Sequence, residues 1–112
     1  MLTSSFNLFR SHYAYTNFGI TGAAVAAGKA YGMEWETASE EKLYKPLGMT
    51  ATSSRHSDFI GRANKAPGHV LVSGKWAQKF RRDPDTEAPA GGVSSSVNDL
   101  TKWMRLELAN GK

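Results

Sequence analysis

Two side chains that could do chemistry lie two residues apart near the start of the sequence, in Tyr15-Thr16-Asn17. A phenol can move a proton, and a carboxamide can hold a polar group of a substrate through hydrogen bonds. In an extended backbone the side chains of residues i and i+2 point to the same side. The spacing therefore predicts one site shared by Tyr15 and Asn17. A packed tyrosine beside a helix-capping asparagine is the alternative that the tripeptide alone leaves open.

Two helices are expected to follow this pair and to position it. Residues 17–31 are rich in alanine, and small residues on most faces predict a buried helix that packs closely against its neighbours. Thr16 or Asn17 is expected to cap this helix, and Gly32 to end it. Residues 35–45 predict a second helix, because their apolar side chains recur at helical spacing and a proline follows.

The last helix has the clearest pattern. Residues 97–108 carry an apolar stripe at positions i, i+3, i+4 and i+8, formed by Leu100, Trp103, Met104 and Leu108. Ser96 and Asp99 predict a helix start that resembles a capping box, and Asn110-Gly111 predicts the helix end.

The other residues predict loops and one hairpin. Residues 50–67 and 81–92 are rich in polar residues, glycine and proline, which is typical of loops. Residues 68–80 predict a β-hairpin around the turn Ser73-Gly74-Lys75. The expected fold class is therefore mainly α, with long irregular loops and one short β-hairpin.

The composition is that of a globular protein and argues against several functions. The 112 residues are 40% hydrophobic and 21% charged, which fits one domain or one piece of a domain. The net charge of +4 comes from basic residues interleaved with acidic ones, so we expect a solvated surface and no nucleic-acid partner. The chain has no cysteine for a thiolate, and the three histidines lie far apart in sequence (His12, His56 and His69), so no metal site is predicted. No cofactor is expected.

Targeting signals are not evident in the sequence. No stretch approaches the length of a transmembrane helix, so no membrane span is expected. The first six residues lack the charged and long apolar regions of a signal peptide. Met1 is either a natural start or the start of an expressed fragment.

Three segments, taken together and in order, resemble one family. Residues 9–19 resemble its tyrosine-x-asparagine segment, residues 45–52 its Pro-Leu-Gly-Met-x-x-Thr segment, and residues 89–104 its Ala-Gly-Gly and Asp-Leu-x-x-Trp patterns. The family is that of the serine beta-lactamase-like hydrolases, which include class C beta-lactamases, D,D-peptidases and related esterases. The resemblance covers most of the chain and implies the helical subdomain of the serine beta-lactamase/transpeptidase fold.

The resemblance implies acyl transfer from a small-molecule amide or ester to a serine nucleophile. Tyr15 would be catalytic and supply or relay the base that a serine needs, helped by a lysine whose positive charge favours an ionised phenol. Asn17 would bind the substrate through hydrogen bonds. Gly91 stands where class C beta-lactamases typically have an aromatic residue that walls the substrate pocket. A glycine leaves this wall open, which favours an esterase or peptidase-like activity over dedicated cephalosporin hydrolysis.

Two further motifs of the family have no credible counterpart in these residues, namely Ser-x-x-Lys before the tyrosine and Lys-Thr-Gly or His-x-Gly after the last helix. Ser39 and Lys42 have the Ser-x-x-Lys spacing but follow Tyr15, so Ser39 is interpreted as an ordinary helix residue. We expect residues 1–112 to be one domain, the helical part of a larger serine hydrolase, that is inactive by itself. Its expected partner is the missing α/β sheet portion of the same protein.

A second interpretation stays open, in which the chain is a catalytically dead, stand-alone binding module derived from that fold. The cellular compartment is not fixed by these residues either. Members of the family are often periplasmic or secreted, but the targeting signal for export would precede the tyrosine-x-asparagine segment.

Overall fold

The structure of the chain is a computed structural model that describes residues 11–79 and 82–112. Its elements, in chain order, are α1 (Asn17–Ala30), α2 (Trp35–Ser39), a π-helical turn (Glu40–Tyr44), α3 (His56–Gly61), β1 (Val70–Val72), β2 (Lys75–Ala77), a 3₁₀ turn (Asp85–Glu87), α4 (Ala88–Gly91) and α5 (Val97–Leu108). Within these ranges helices predominate, and the one sheet is the antiparallel pair β1–β2. The predicted fold class is therefore confirmed.

Helix α1 begins and ends where its sequence predicts. The backbone of Thr16 is extended, and its Oγ1 accepts a hydrogen bond from the backbone N–H of Gly19 at 3.4 Å. Gly32 has a φ of +68°, the left-handed conformation that ends many helices. Ala24 and Gly28 form the buried face of α1, which packs against α2 and α4. The small residues of α1 thus allow two other helices to approach it closely.

The second predicted helix is α-helical only in its first half. Its second half is a π turn, in which the backbone N–H of Lys45 donates to the carbonyl of Glu40, five residues before it, at 2.9 Å. Within this turn Tyr44 is buried, and its hydroxyl shares a 2.7 Å hydrogen bond with the Oγ of Ser54. Sequence periodicity does not reveal this wider turn, because a single π turn of five residues is too short to show a period of its own.

The two predicted loops contain more structure than their composition indicates. In the first, 50–67, the hydroxyl residues 52–54 are buried, and α3 follows them. In the second, 81–92, the described part includes a 3₁₀ turn and α4. The expectation that these stretches are irregular surface loops was wrong at those places, because hydrogen bonds to other segments satisfy their polar groups.

The hairpin forms with a tighter turn than expected. Val70 pairs with Ala77, and Val72 pairs with Lys75, so Lys75 belongs to β2 and the turn is Ser73-Gly74. Both turn residues have positive φ, +48° and +78°, as a two-residue turn between twisted strands requires. Phe80, at the end of the predicted hairpin, lies outside the described residues.

The carboxylate of Asp99 joins the start of α5 to the segment that precedes α3. Asp99 is 2% exposed. Its Oδ2 accepts hydrogen bonds from the backbone N–H of Ala51 at 2.7 Å and from Thr52 Oγ1 at 3.0 Å, and its Oδ1 lies 2.9 Å from Lys102 Nζ. Lys102 Nζ also donates to the carbonyl of Gly48. One buried carboxylate therefore links residues that are about 50 positions apart in the sequence.

Further hydrogen bonds continue this junction along the chain. The backbones of Ser53 and Ser94 exchange two N–H···O=C bonds of 2.9 Å, and Thr52 Oγ1 lies 2.7 Å from Ser95 Oγ. The predicted cap is also present, since Ser96 Oγ accepts from the backbone N–H of Asp99 at 3.2 Å. The carboxylate of Asp99 binds residues 51 and 52, however, and so makes a tertiary contact in addition to the local cap.

The pKa of Asp99 lies below its usual value. The Lys102 ammonium is the main cause, and the donors of Ala51 and Thr52 add to it, while burial opposes the shift. A carboxyl group with a lowered pKa in the folded state contributes stability above its unfolded pKa. That contribution is lost as the pH falls through the folded pKa.

We predict that Asp99→Asn lowers the free energy of unfolding of the chain by about 1–3 kcal/mol at pH 7, because it weakens several buried hydrogen bonds at once. The difference from the wild type should narrow once the pH falls below about 4, the ordinary range of an aspartate. Urea denaturation followed by circular dichroism at pH 7 and pH 3 measures both values. The matched control is Glu107→Gln, an exposed site on α5. A pH-independent difference would contradict the electrostatic account.

A second prediction concerns the close packing of α1. A Cβ at Gly28 would lie 2.8 Å from the carbonyl oxygen of Met33, whereas a Cβ at Gly22 on the same helix would meet no atom within 4 Å. Gly28→Ala should therefore destabilise the fold by about 1–3 kcal/mol through overpacking. Gly22→Ala should stabilise it by about 0.5–1 kcal/mol through helix propensity. Denaturation midpoints that shift in the same direction would show that α1 does not pack on residues 33–35 as described.

Candidate active site

Tyr15 and Asn17 lie at the N-terminal end of α1. Tyr15 precedes the capping residue and its side chain is 81% exposed, whereas Asn17 is the first residue of the helix and is partly buried. The residue between them, Thr16, has an extended backbone with φ −155° and ψ 127°. This is the backbone conformation that the two-residue spacing requires for side chains on one side. Both residues line one open cavity of about 420 Å³.

The opposite wall of this cavity comes from the second half of the chain. Pro89 and Ala90, in α4, line it together with residues before and at the start of α1, which include Tyr13 and Ile20. The structure thus brings the tyrosine-x-asparagine segment next to the Ala-Gly-Gly segment, although more than 70 positions separate them. The cavity presents a phenol and a carboxamide beside apolar walls, a combination suited to a small organic molecule.

Gly91 lies next to this cavity without lining it. It ends α4 and is exposed, and the closest atom to a Cβ built there is Nη2 of Arg82, at 3.9 Å. A small side chain therefore fits at this position. Gly92 does not have this freedom, because its Cβ would lie 2.6 Å from the Cα of the fully buried Ala88. The tight turn at Gly92 fixes the path of the backbone behind the cavity.

Ser39 lies in helix α2 and is turned into the interior. It is 5% exposed, and its Oγ donates to the carbonyl of Glu36 at 3.0 Å and shares a 3.1 Å hydrogen bond with Ser54 Oγ. Lys42 has a different neighbour, since its Nζ lies 5.5 Å from the centre of the Tyr31 ring. Ser39 is thus an ordinary helix residue, as predicted, and the Ser-x-x-Lys spacing does not bring serine and lysine together.

Arg55 makes contacts between segments that the sequence did not predict. Its Nη1 lies 2.9 Å from Glu40 Oε2 and its Nη2 2.9 Å from Thr37 Oγ1, so it fastens the segment before α3 to α2 and the π turn. Lys45 and Arg55 together lower the pKa of Glu40, Lys45 more strongly. The sequence offers only a lone arginine in a hydroxyl-rich stretch, and nothing in its spacing indicates these partners.

The described part of the chain shows neither a group of side chains that could hold a metal ion nor a helix that could span a membrane. No three His, Asp or Glu side chains in residues 11–79 and 82–112 lie close enough together to hold a metal ion. Of the helices in the same ranges, none combines the length and the apolar character that a membrane span needs.

Comparison with known proteins identifies the family. The sequence profile of the family described as Beta-lactamase matches residues 7–112. Beta-lactamase-like protein 4 of Dictyostelium discoideum is 29% identical over 101 residues, which cover 84% of this chain and 17% of that protein. The octameric penicillin-binding protein homologue from Pyrococcus abyssi superimposes with a TM-score of 0.78 at 25% identity, over 91% of this chain and 23% of that structure.

These relatives are much longer than the chain, which spans about a fifth of each of them. The family match nevertheless covers all three segments of the sequence that resemble the serine hydrolases, from residue 9 to residue 104. The chain belongs to the beta-lactamase family.

Proposed function

We propose that the chain is the helical part of a serine acyl hydrolase that acts on a small-molecule amide or ester. The observation that carries the proposal is the cavity that Tyr15 and Asn17 share with Pro89 and Ala90. Two segments that resemble the same family meet there, and both are segments that the family places at its substrate. The whole protein would supply the nucleophilic serine and its lysine, so the chain by itself would be inactive.

In the proposed reaction Tyr15 handles the proton of the nucleophile. In the whole protein the positive charge of the missing lysine would favour the ionised phenol, whose oxygen then accepts the proton of the serine hydroxyl while the serine Oγ bonds to the carbonyl carbon of the substrate. The bond from that carbon to the leaving nitrogen or oxygen then breaks, and the proton passes from Tyr15 to the leaving group. Water releases the acyl group by the same steps in reverse. Asn17 holds the substrate through its carboxamide, and the exposure of Tyr15 leaves its hydroxyl open to an incoming group.

The proposed substrate class rests on the resemblance, in which the position of Gly91 carries an aromatic residue that walls the substrate pocket of class C beta-lactamases. In this chain a Cβ at that position would lie 3.9 Å from Nη2 of Arg82, so an aromatic side chain would have to displace this guanidinium or point away from it. Glycine supplies no such wall. This favours an esterase or peptidase-like activity on varied acyl groups over a pocket shaped for cephalosporins.

The proposed partner of this chain is the remaining portion of the same protein. The apolar stripe predicted on α5 is largely exposed in the described residues, with Leu100 45%, Met104 53% and Leu108 82% exposed. A stripe of this kind normally faces a core. Because the related proteins are about five times longer, we propose that their additional residues correspond to a sheet that covers this face.

The alternative is a catalytically dead binding module. Ser39 is buried, and in the described residues no serine and lysine form a nucleophile pair near Tyr15. Both observations are compatible with this alternative. The DNA that flanks the coding region separates the two hypotheses. An upstream in-frame Ser-x-x-Lys together with a downstream Lys-Thr-Gly or His-x-Gly supports the hydrolase. Stop codons that bound the 112 residues would refute it.

For the protein encoded across that region we predict that Tyr15→Phe lowers kcat for a p-nitrophenyl ester by about 10²–10⁴-fold, because the phenylalanine cannot move a proton. Tyr13→Phe is the matched control, since Tyr13 lines the same cavity and is also exposed. It should change kcat by less than about threefold, as expected for a residue outside the proton path. Equal effects of the two variants would refute the assignment of Tyr15.

A further inference from the structure

A second cavity, of about 500 Å³, lies between α3 and the β-hairpin. It shares no lining residue with the cavity of Tyr15 and Asn17. It is also more enclosed than that cavity. A space of this size can hold most of a small organic ligand. None of the motifs that resemble the hydrolase family contributes to it.

One part of the cavity wall is apolar. Phe59 and Ile60 from α3 face it, together with Pro67 and with Val70 from the first residue of β1. The ring of Phe59 stacks on the ring of His56, with 6.3 Å between the centroids and 17° between the planes. This stacking orients a flat apolar surface that can pack against an aromatic or aliphatic body.

The polar part of the wall includes two cations, beside Gln78 and the imidazoles of His56 and His69. Lys65 and Arg82 line the cavity, and no Asp or Glu is among the described residues that do so. The ammonium of Lys65 is held in place by the carbonyls of Ile60 at 2.8 Å and Arg62 at 2.7 Å. Arg82 makes no ion pair with the residues that the structure describes. Its guanidinium is thus available to an anion.

The two carboxylates near this cavity make contacts with His56. Asp85 accepts a hydrogen bond from the backbone N–H of His56 at 2.8 Å, and Asp83 Oδ1 lies 3.5 Å from His56 Nδ1. Neither aspartate lines the cavity. Both aspartates contact His56, so the charged side chains that line the cavity itself are those of Lys65 and Arg82.

We propose that this cavity binds a small carboxylate that has an apolar body. The apolar part packs against Phe59 and Ile60, and the carboxylate pairs with Arg82, whose planar guanidinium can donate two parallel hydrogen bonds to it. Nη2 of Arg82 also lies 3.9 Å from the position that a Cβ at Gly91 would take. The proposed ligand would therefore bind close to α4, but its binding does not depend on acyl transfer or on Tyr15.

The test uses the 112-residue chain and two probes, 4-phenylbutyrate and its neutral amide. Amide chemical shifts from ¹H–¹⁵N spectra, followed during titration, should move in His56–Gly61 and Val70–Val72 with the carboxylate and saturate. Arg82→Gln should weaken the affinity about tenfold or more, as expected for a hydrogen-bonded charge. Arg105→Gln, an exposed arginine on α5, is the matched control and should leave the affinity unchanged.

Three results would overturn the proposal: no saturable shift at millimolar probe, equal affinity for the amide and the carboxylate, or equal losses from the two arginine variants. Tyr15→Phe separates this proposal from the proposed hydrolase function. It should leave the binding of 4-phenylbutyrate unchanged even if it abolishes the activity of the longer enzyme.

Discussion

The buried carboxylate of Asp99 is the interaction on which the rest of the structure depends. It takes the N–H of Ala51, the hydroxyl of Thr52 and the ammonium of Lys102 as partners, so it fixes where the start of α5 meets the chain before α3. A charge with so little exposure is stable only when such partners satisfy it. The junction also determines where residues 89–92 enter, because the backbone pairing of Ser53 with Ser94 continues directly from it.

Close packing by small residues positions α1 and α4, the two helices at the candidate site. Gly28 lets α1 lie against the chain at Met33, and Gly92 lets the chain turn tightly over Ala88. Helix α1 therefore reaches α4, and the phenol of Tyr15 comes to lie across one cavity from Pro89. The described hydrophobic core is small, and its large side chains are those of Tyr44 and Met49, so hydrogen bonds and glycine contacts contribute much of its specificity.

The sequence predicted the structural features that depend on local residue patterns. The bounds of α1 and α5, the cap by Thr16 or Asn17 and the hairpin all follow from periodicity and turn chemistry. The burial of residues 52–54 was missed, because it depends on hydrogen bonds to partners between 10 and 47 positions away. Helix α4 was missed as well, and it packs against the distant α1. The pairing of Tyr15 with Asn17 came from their spacing, whereas their roles and the choice of Gly91 came from the family resemblance. Arg82 had no such signal, since in sequence it is one charge in a charged run.

We propose that an acyl group is transferred in the cavity between the start of α1 and α4. A crystal structure of the longer enzyme after reaction with a fluorophosphonate tests this claim most directly. We expect the phosphonylated serine to project into the cavity, with a phosphonyl or serine oxygen within about 3.2 Å of the Tyr15 hydroxyl. An adduct on a serine outside this cavity, with none of its atoms near Tyr15 or Pro89, would contradict this proposal.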